Sequence, residues 1–356
     1  MVNTKLQQFP LYDDVGSFPL PPYIDKKSFK QFYWTAYNGI VKKTDIFEHR
    51  GIHNYFTHPI LQSFQLKLNA GVEIVNYPQH MDMYEQFLKP INDYKREPNL
   101  ISAEKAIIPE MLVIDKFAKE HYERMGKPLS VKICVTGPIE LYIRKIDFTI
   151  YLDMAYNFAI SVNSFIKNSL YDTKYLKTSI VSIDEPSFGY VDIVNVSDDE
   201  LIKIFDKCLE GVNITSQIHL HTLNRASIAL QTKNIDVLTC EYASDNSNVI
   251  PKKDLDQYDK FIRVGITRTN INSLMAEALD AGVSQEEVKS FEGTMNLIDP
   301  RERIEKNLMD ALKRYDDRLQ FIGPDCGLAG WDPPQVAYEV LHRTYEVMEK
   351  VKKSSH

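Results

Sequence analysis

The chain has 356 residues, enough for one large α/β barrel or two ordinary domains. Its 44% hydrophobic and 26% charged residues are those of a soluble globular protein, and a net charge of -7 with no basic block argues against nucleic acid as a partner. Cys134, Cys208, Cys240 and Cys326 form no CxxC pair, which argues against a zinc finger or a disulfide framework and for a reducing, cytoplasmic setting. The start, MVNTKLQQFP, has no apolar signal core, and the most apolar helical stretch, FTIYLDMAYNFAISVNSFI, carries Asp153, Asn157 and Asn163, so no membrane association is expected.

In chain order, about eight short apolar, β-branched runs each end in a polar or glycine-containing tip. They are YDDVGSFP, GVEIVNYPQ, SVKICVTGP, TSIVSIDEP, SQIHLHT, IDVLTCEYAS, FIRVGITRT and LQFIGPDCG. Helical segments such as DELIKIFDKCLEGV and PQVAYEVLHRTYEVMEKVKK fill the gaps, and no linker divides the chain. Alternating strands and helices predict a parallel sheet, and eight of each predict a closed (β/α)8 TIM barrel, one domain spanning 1–356. An open doubly wound sheet is the runner-up. No G-x-G-x-x-G loop follows any strand to support it.

A barrel gathers its active site at the carboxyl ends of the strands. Those ends carry Ser17, Tyr77, Thr136, Asp184 with Glu185, His219 with His221, Glu241, Thr267 with Arg268, and Asp325 with Cys326. His219 and His221, two residues apart on a strand, point to the same side. Imidazole, carboxylate (Glu241) and thiolate (Cys326) from the fifth, sixth and eighth strands make a zinc set with a position open for substrate. Cys240 faces the other way from Glu241 and is read as packing. One of Asp184 and Glu185 can face the mouth and accept hydrogen bonds from an ammonium group. The VGSFP segment, with Val15, Gly16 and Ser17, offers backbone N–H groups and a hydroxyl to a carboxylate or phosphate.

The order GSFP, TGP, IDEP, a histidine strand, a glutamate strand and PDCGL runs across nearly the whole chain. It resembles the C-terminal catalytic barrel of cobalamin-independent methionine synthase, in the short, archaeal-type core form. SIDEPSF and GPDCGLAGW are its most specific pieces. The resemblance implies a methyltransferase in which zinc activates the thiol of homocysteine. It also implies metal ligands at His221, Glu241 and Cys326, Asp184 at the substrate's amino group, and Val15, Gly16 and Ser17 at its carboxylate. Asp184 and His221 are the expected catalytic residues. The family's H-x-C cysteine falls on Leu223, leaving His219, deeper in the strand, to stand in for it. The family's glutamate after the second strand falls near Tyr77, which is therefore an expected substrate-binding residue, and its histidine after the seventh falls near Asn270. The short form implies a methyl donor that is methylcobalamin or a corrinoid protein rather than methyltetrahydrofolate. Three alternatives follow from the departures: transfer to another thiol such as coenzyme M, a metal-free partner subunit of a methyltransferase complex, and a metal-free barrel of the uroporphyrinogen decarboxylase kind.

Overall fold

The structure is a computed structural model that describes residues 9–93 and 100–354. Eight parallel strands follow one another as read from the sequence: β1 (Leu11–Tyr12), β2 (Val75–Asn76), β3 (Leu129–Thr136), β4 (Leu176–Asp184), β5 (Thr215–His219), β6 (Val237–Cys240), β7 (Phe261–Thr267) and β8 (Leu319–Pro324). They pair in the order β1-β8-β7-β6-β5-β4-β3-β2. The remaining seam, β1 to β2, is joined by a parallel bridge between Asp13 and Ile74 and by Glu73 and Ile74 N–H groups donating to the Tyr12 carbonyl at 3.1 Å. The sheet curls into a TIM-barrel-like ring with helices outside it, the α/β architecture expected. The longest helix, Pro334–Ser354, buries one stripe, including Val336, Val340, Leu341, Val347 and Val351. Among the described residues no helix is long and apolar enough to cross a membrane.

Four polar side chains meet inside the ring. The Asp13 carboxylate accepts from Lys132 at 2.9 Å, Arg263 at 2.5 Å and Gln217 at 3.2 Å, and all four residues are buried. They come from the first, third, fifth and seventh strand runs. Alternate strands filling one layer is the packing that barrel closure imposes, so these contacts across the interior are independent evidence that the ring is closed. Above this layer the interior opens into a cavity at the carboxyl ends of the strands.

The first loop is tied down from below. Lys67, fully buried, donates to Asp14 at 2.7 Å and to the Gly16 carbonyl at 2.5 Å. Gly16 has φ +139, and an added Cβ would run into the Gln79 and Asn76 side-chain amides. The residue is thus glycine for conformational and steric reasons alike.

Candidate metal centre and cavity

β5 ends at His219, and the chain continues through Leu220 to His221. The Thr239 hydroxyl of β6 accepts from the Leu220 N–H at 3.1 Å and lies 3.2 Å from His219 Nδ1. That contact fixes the ring so that Nε2 faces the cavity. Such a hydrogen bond behind a ligating imidazole sets its tautomer and direction. His219 Nε2 and His221 Nε2 each lie 3.6 Å from Cys326 Sγ. His221 Nε2 is also 3.4 Å from Glu241 Oε1. One donor atom from each of His219, His221, Glu241 and Cys326 falls within 4.8 Å of every other, so the four could hold a metal ion.

These spacings can be compared with a tetrahedron. Zinc bonds of about 2.3 Å to sulfur and about 2.0–2.1 Å to nitrogen or oxygen give edges of about 3.5 Å between sulfur and nitrogen and about 3.3 Å between nitrogen and oxygen. The distances above sit near those values. The donor set, two imidazoles, a carboxylate and a thiol, is one zinc accepts, so the residues fit the ion.

The electrostatics point the same way. Burial, with the positive field of Arg263 and Lys132 behind it, holds His219 well below the usual imidazole range, and burial lowers His221 too. Both shifts favour the neutral ring, the form a metal ligand must have. Burial raises the Glu241 carboxyl to about 8, helped by the charge of Asp325, and pushes the Cys326 thiol up as well. Two half-buried groups that would be anions once ionised sit within 4.8 Å of each other, a situation that a divalent cation relieves.

The Cys326 backbone N–H donates to Thr269 Oγ1 at 3.0 Å. Asp325 accepts from the Ala243 and Ser244 N–H groups at 3.0 and 2.7 Å, clamping the tip of β8 to the loop after Glu241. A Cβ on Gly327 would strike Ser17 Oγ, so the PDCG turn and the GSFP loop are in direct contact, and the Leu328 N–H donates to the Ser17 carbonyl at 2.8 Å. Of the acid pair, Asp184 faces the cavity and Glu185 does not. Glu185 accepts from the Ile139 and Glu140 N–H groups at 3.0 and 2.7 Å, at the start of helix Pro138–Lys145. Asp184 is 8% exposed, accepts from Ser182 Oγ at 3.2 Å, and is pushed up to about 6 by burial.

A cavity of about 750 Å³ has Val15, Ser17, Asp184, His219, His221 and Cys326 in its walls. Three expected residues, Tyr77, Gly16 and Glu241, are not among them. Tyr77 is fully buried and donates its hydroxyl to the Cys134 carbonyl at 2.6 Å, while Gln79 occupies the wall at that point. The residue that faces inward is the one at the end of the NYPQ turn, two positions beyond the one chosen from the sequence. Gly16 turns its carbonyl to Lys67, and its neighbours Val15 and Ser17 line the space. Sequence reasoning also passed over His80, Met81 and Met83 in the same wall, which lie past the strand tip in the loop and first turn that follow it. Asn270 lies in a second cavity and caps the helix Ile271–Asp280 by accepting from the Ser273 N–H at 3.2 Å. Leu223 is partly buried against the core, and its N–H donates to Asn248 at 2.9 Å.

No family model and no curated protein matches the sequence itself. Solved structures do match in fold. One is a B12-independent methionine synthase from Shewanella sp. W3-18-1 in complex with selenomethionine, with TM-score 0.61 and 15% identity over 97% of this chain and 98% of that one. Another, from Listeria monocytogenes and described as a vitamin-B12-independent methionine synthase, has TM-score 0.56 and 14% identity over 97% and 99%. At such identities the likeness is one of fold.

Proposed function

We propose that the chain is a zinc-dependent methyltransferase, one catalytic barrel that moves a methyl group to the thiol of homocysteine to form methionine. The observation that carries this reading is the convergence of His219, His221, Glu241 and Cys326 within 4.8 Å of one another, with His219, His221 and Cys326 in the wall of a cavity that also holds Asp184 and Ser17. We infer that His219 takes the fourth place that Leu223 leaves unfilled. Bound there, zinc would keep an acceptor thiol deprotonated at neutral pH, where a free thiol with a pKa of about 8.5 is mostly protonated.

The chain's own residues do the rest. Asp184 accepts hydrogen bonds from the acceptor's ammonium group, and Val15 and Ser17 receive its carboxylate. A carboxylate at that point favours an amino-acid thiol over coenzyme M, whose other end is an anion. Thr239 and Asp325 hold His219 and Cys326 in place. The Shewanella protein's complex with selenomethionine, an analogue of the proposed product, supports the same class of ligand for this cavity.

Asp184→Asn is expected to weaken homocysteine binding by about tenfold or more, since a charge-assisted hydrogen bond contributes roughly 1.5–3 kcal/mol, and to leave zinc content near that of the parent. Calorimetric titration of both proteins with the thiol, beside metal analysis, checks this. Equal affinities would remove Asp184 from the acceptor site.

For the donor we propose methylcobalamin or a methyl-corrinoid protein. Among the described residues Phe18 is the one phenyl, phenol or indole ring in the cavity wall, and at 1% exposed, with Lys67 over its ring, it offers almost no face for stacking; Trp34 and Trp331 do not line the cavity. A pterin therefore lacks the stacking partner that would contribute about 0.5–1.5 kcal/mol beyond area burial. Under anaerobic conditions with zinc present, methionine should form from methylcobalamin and homocysteine, with little from methyltetrahydrofolate. Turnover with the folate alone would overturn the corrinoid assignment. Stoichiometric zinc with no turnover from either donor would shift the reading to another thiol.

A further inference from the structure

His221 stands two residues past the end of its strand, beyond the backbone ladder. The last registered pair between β5 and β6 is Ile218 with Leu238, and on the other side β4 pairs Asp184 with His219. A metal ligand at position 223 would tie the segment down, but Leu223 packs against the core. Asn248, from the loop after β6, ties it instead. Its Nδ2 donates to the His221 carbonyl at 2.9 Å, and its Oδ1 accepts from the Leu223 N–H at 2.9 Å. The two bonds bracket Thr222 as the peptide groups of a parallel neighbouring strand would. An asparagine amide carries both the donor and the acceptor that this needs. The side chain therefore extends, by one pair, a ladder whose backbone has ended.

Asn248 is in turn anchored to the other donor residues. Its N–H donates to the Asp245 carbonyl at 3.0 Å, and the Asp245 N–H donates to the Glu241 carbonyl at 3.3 Å. In the same loop the Ala243 and Ser244 N–H groups donate to Asp325, the neighbour of Cys326. The loop from Glu241 to Asn248 thus carries one donor residue and grips the chain at or beside two others. His221 Nε2 lies at the far end of its side chain, so a small rotation of the backbone at 221 is magnified where the metal would sit. A metal site tolerates misplacement of only about 0.5 Å.

We propose that Asn248 is the positioning residue of His221, holding the imidazole at the distance from Cys326 and Glu241 that a metal ion requires. The inference rests on the reading of the four residues as a metal centre, and it assigns to a side-chain amide the anchoring that Leu223 cannot supply.

The test uses full-length proteins stripped of metal and titrated with zinc against a competing chromophoric chelator. Asn248→Ala should lower zinc affinity by about 10- to 100-fold, the usual range for a group that holds a ligand in place. In a His221→Ala background the same substitution should cost no more than about twofold, because a residue that acts through the ring has nothing left to position. Asn246→Ala is the control. Its amide donates to the Tyr242 carbonyl at 2.7 Å in the same loop, and its affinity should stay near that of the parent. Thermal melts of the metal-free proteins show whether each variant folds. If Asn248→Ala does not, Asn248→Ser, whose hydroxyl is too short to span both peptide groups, should show the same pattern of losses. Parental affinity in the Asn248 variants overturns the proposal. So do equal losses with and without His221, or an equal loss from Asn246→Ala, since each would mean that Asn248 serves the loop as a whole. A parent chain that holds no zinc at equilibrium overturns the metal centre itself, and the proposal with it.

Discussion

A Cys326→Ser protein is expected to emerge from chelator-free purification with little or no zinc, where the parent carries about one equivalent. Sγ of Cys326 is the common neighbour of both imidazoles at 3.6 Å, so its loss removes the only sulfur and the shared vertex of the set. A serine hydroxyl cannot replace it, because it does not ionise near neutral pH and is a poor zinc ligand. His219→Ala and His221→Ala should each lower zinc affinity by more than the roughly 10- to 100-fold that losing a hydrogen-bonding partner behind a ligand costs. Leu223→Ala should not change it, since that side chain packs against the core instead of facing the centre. X-ray absorption of the zinc-loaded parent should show one sulfur and three nitrogen or oxygen neighbours. If the parent binds well under half an equivalent even with zinc added, the centre is not a zinc site. If His219→Ala retains full affinity, the fourth ligand lies elsewhere.

Glu110→Gln is expected to change the pH dependence of stability strongly. Glu110, near the start of helix Pro109–Met125, is fully buried; one carboxyl oxygen lies 3.5 Å from the donating Gln86 Nε2, and the other has no hydrogen-bond partner. Burial raises it from 4.5 to about 8. In the unfolded chain the carboxyl ionises near its ordinary value, and in the folded chain it keeps its proton until near pH 8. Folding therefore binds a proton in that window, and stability falls as pH rises from about 4.5 to 8. At about 1.36 kcal/mol per unit the loss is on the order of 3–5 kcal/mol by pH 8. Glutamine is the same shape and neutral at every pH. Urea unfolding of the two proteins should give similar midpoints at pH 4.5 and a more stable Glu110→Gln protein at pH 8. Parallel curves would show that Glu110 titrates normally in the folded chain.

The eight strand runs were readable because barrel strands are buried on both faces and their ends are punctuated by glycine and proline, which leaves short apolar runs with abrupt polar tips. The same rule gathered His221, Glu241, Cys326 and Asp184 into one list, since strand ends in a parallel barrel all open on one face. Other features depended on three dimensions. Asp13, Lys132, Gln217 and Arg263 look out of place in apolar runs until closure brings alternate strands together in one layer. Asp184 and Glu185 are adjacent, and only the nearness of helix Pro138–Lys145 decides that Glu185 caps it and Asp184 faces the cavity.

The sequence by itself determined which residue types stand at the carboxyl ends of the strands, because period two and turn chemistry are local properties of the chain. Tertiary structure alone decided that His219 reaches Cys326, that Gln79 and not Tyr77 faces the cavity, and that a second, polar cavity backs onto Glu241. The reason is geometric. How far a side chain reaches into the mouth depends on the stagger between neighbouring strands and on the course of the loops beyond them. Both are set by contacts between residues far apart in the chain.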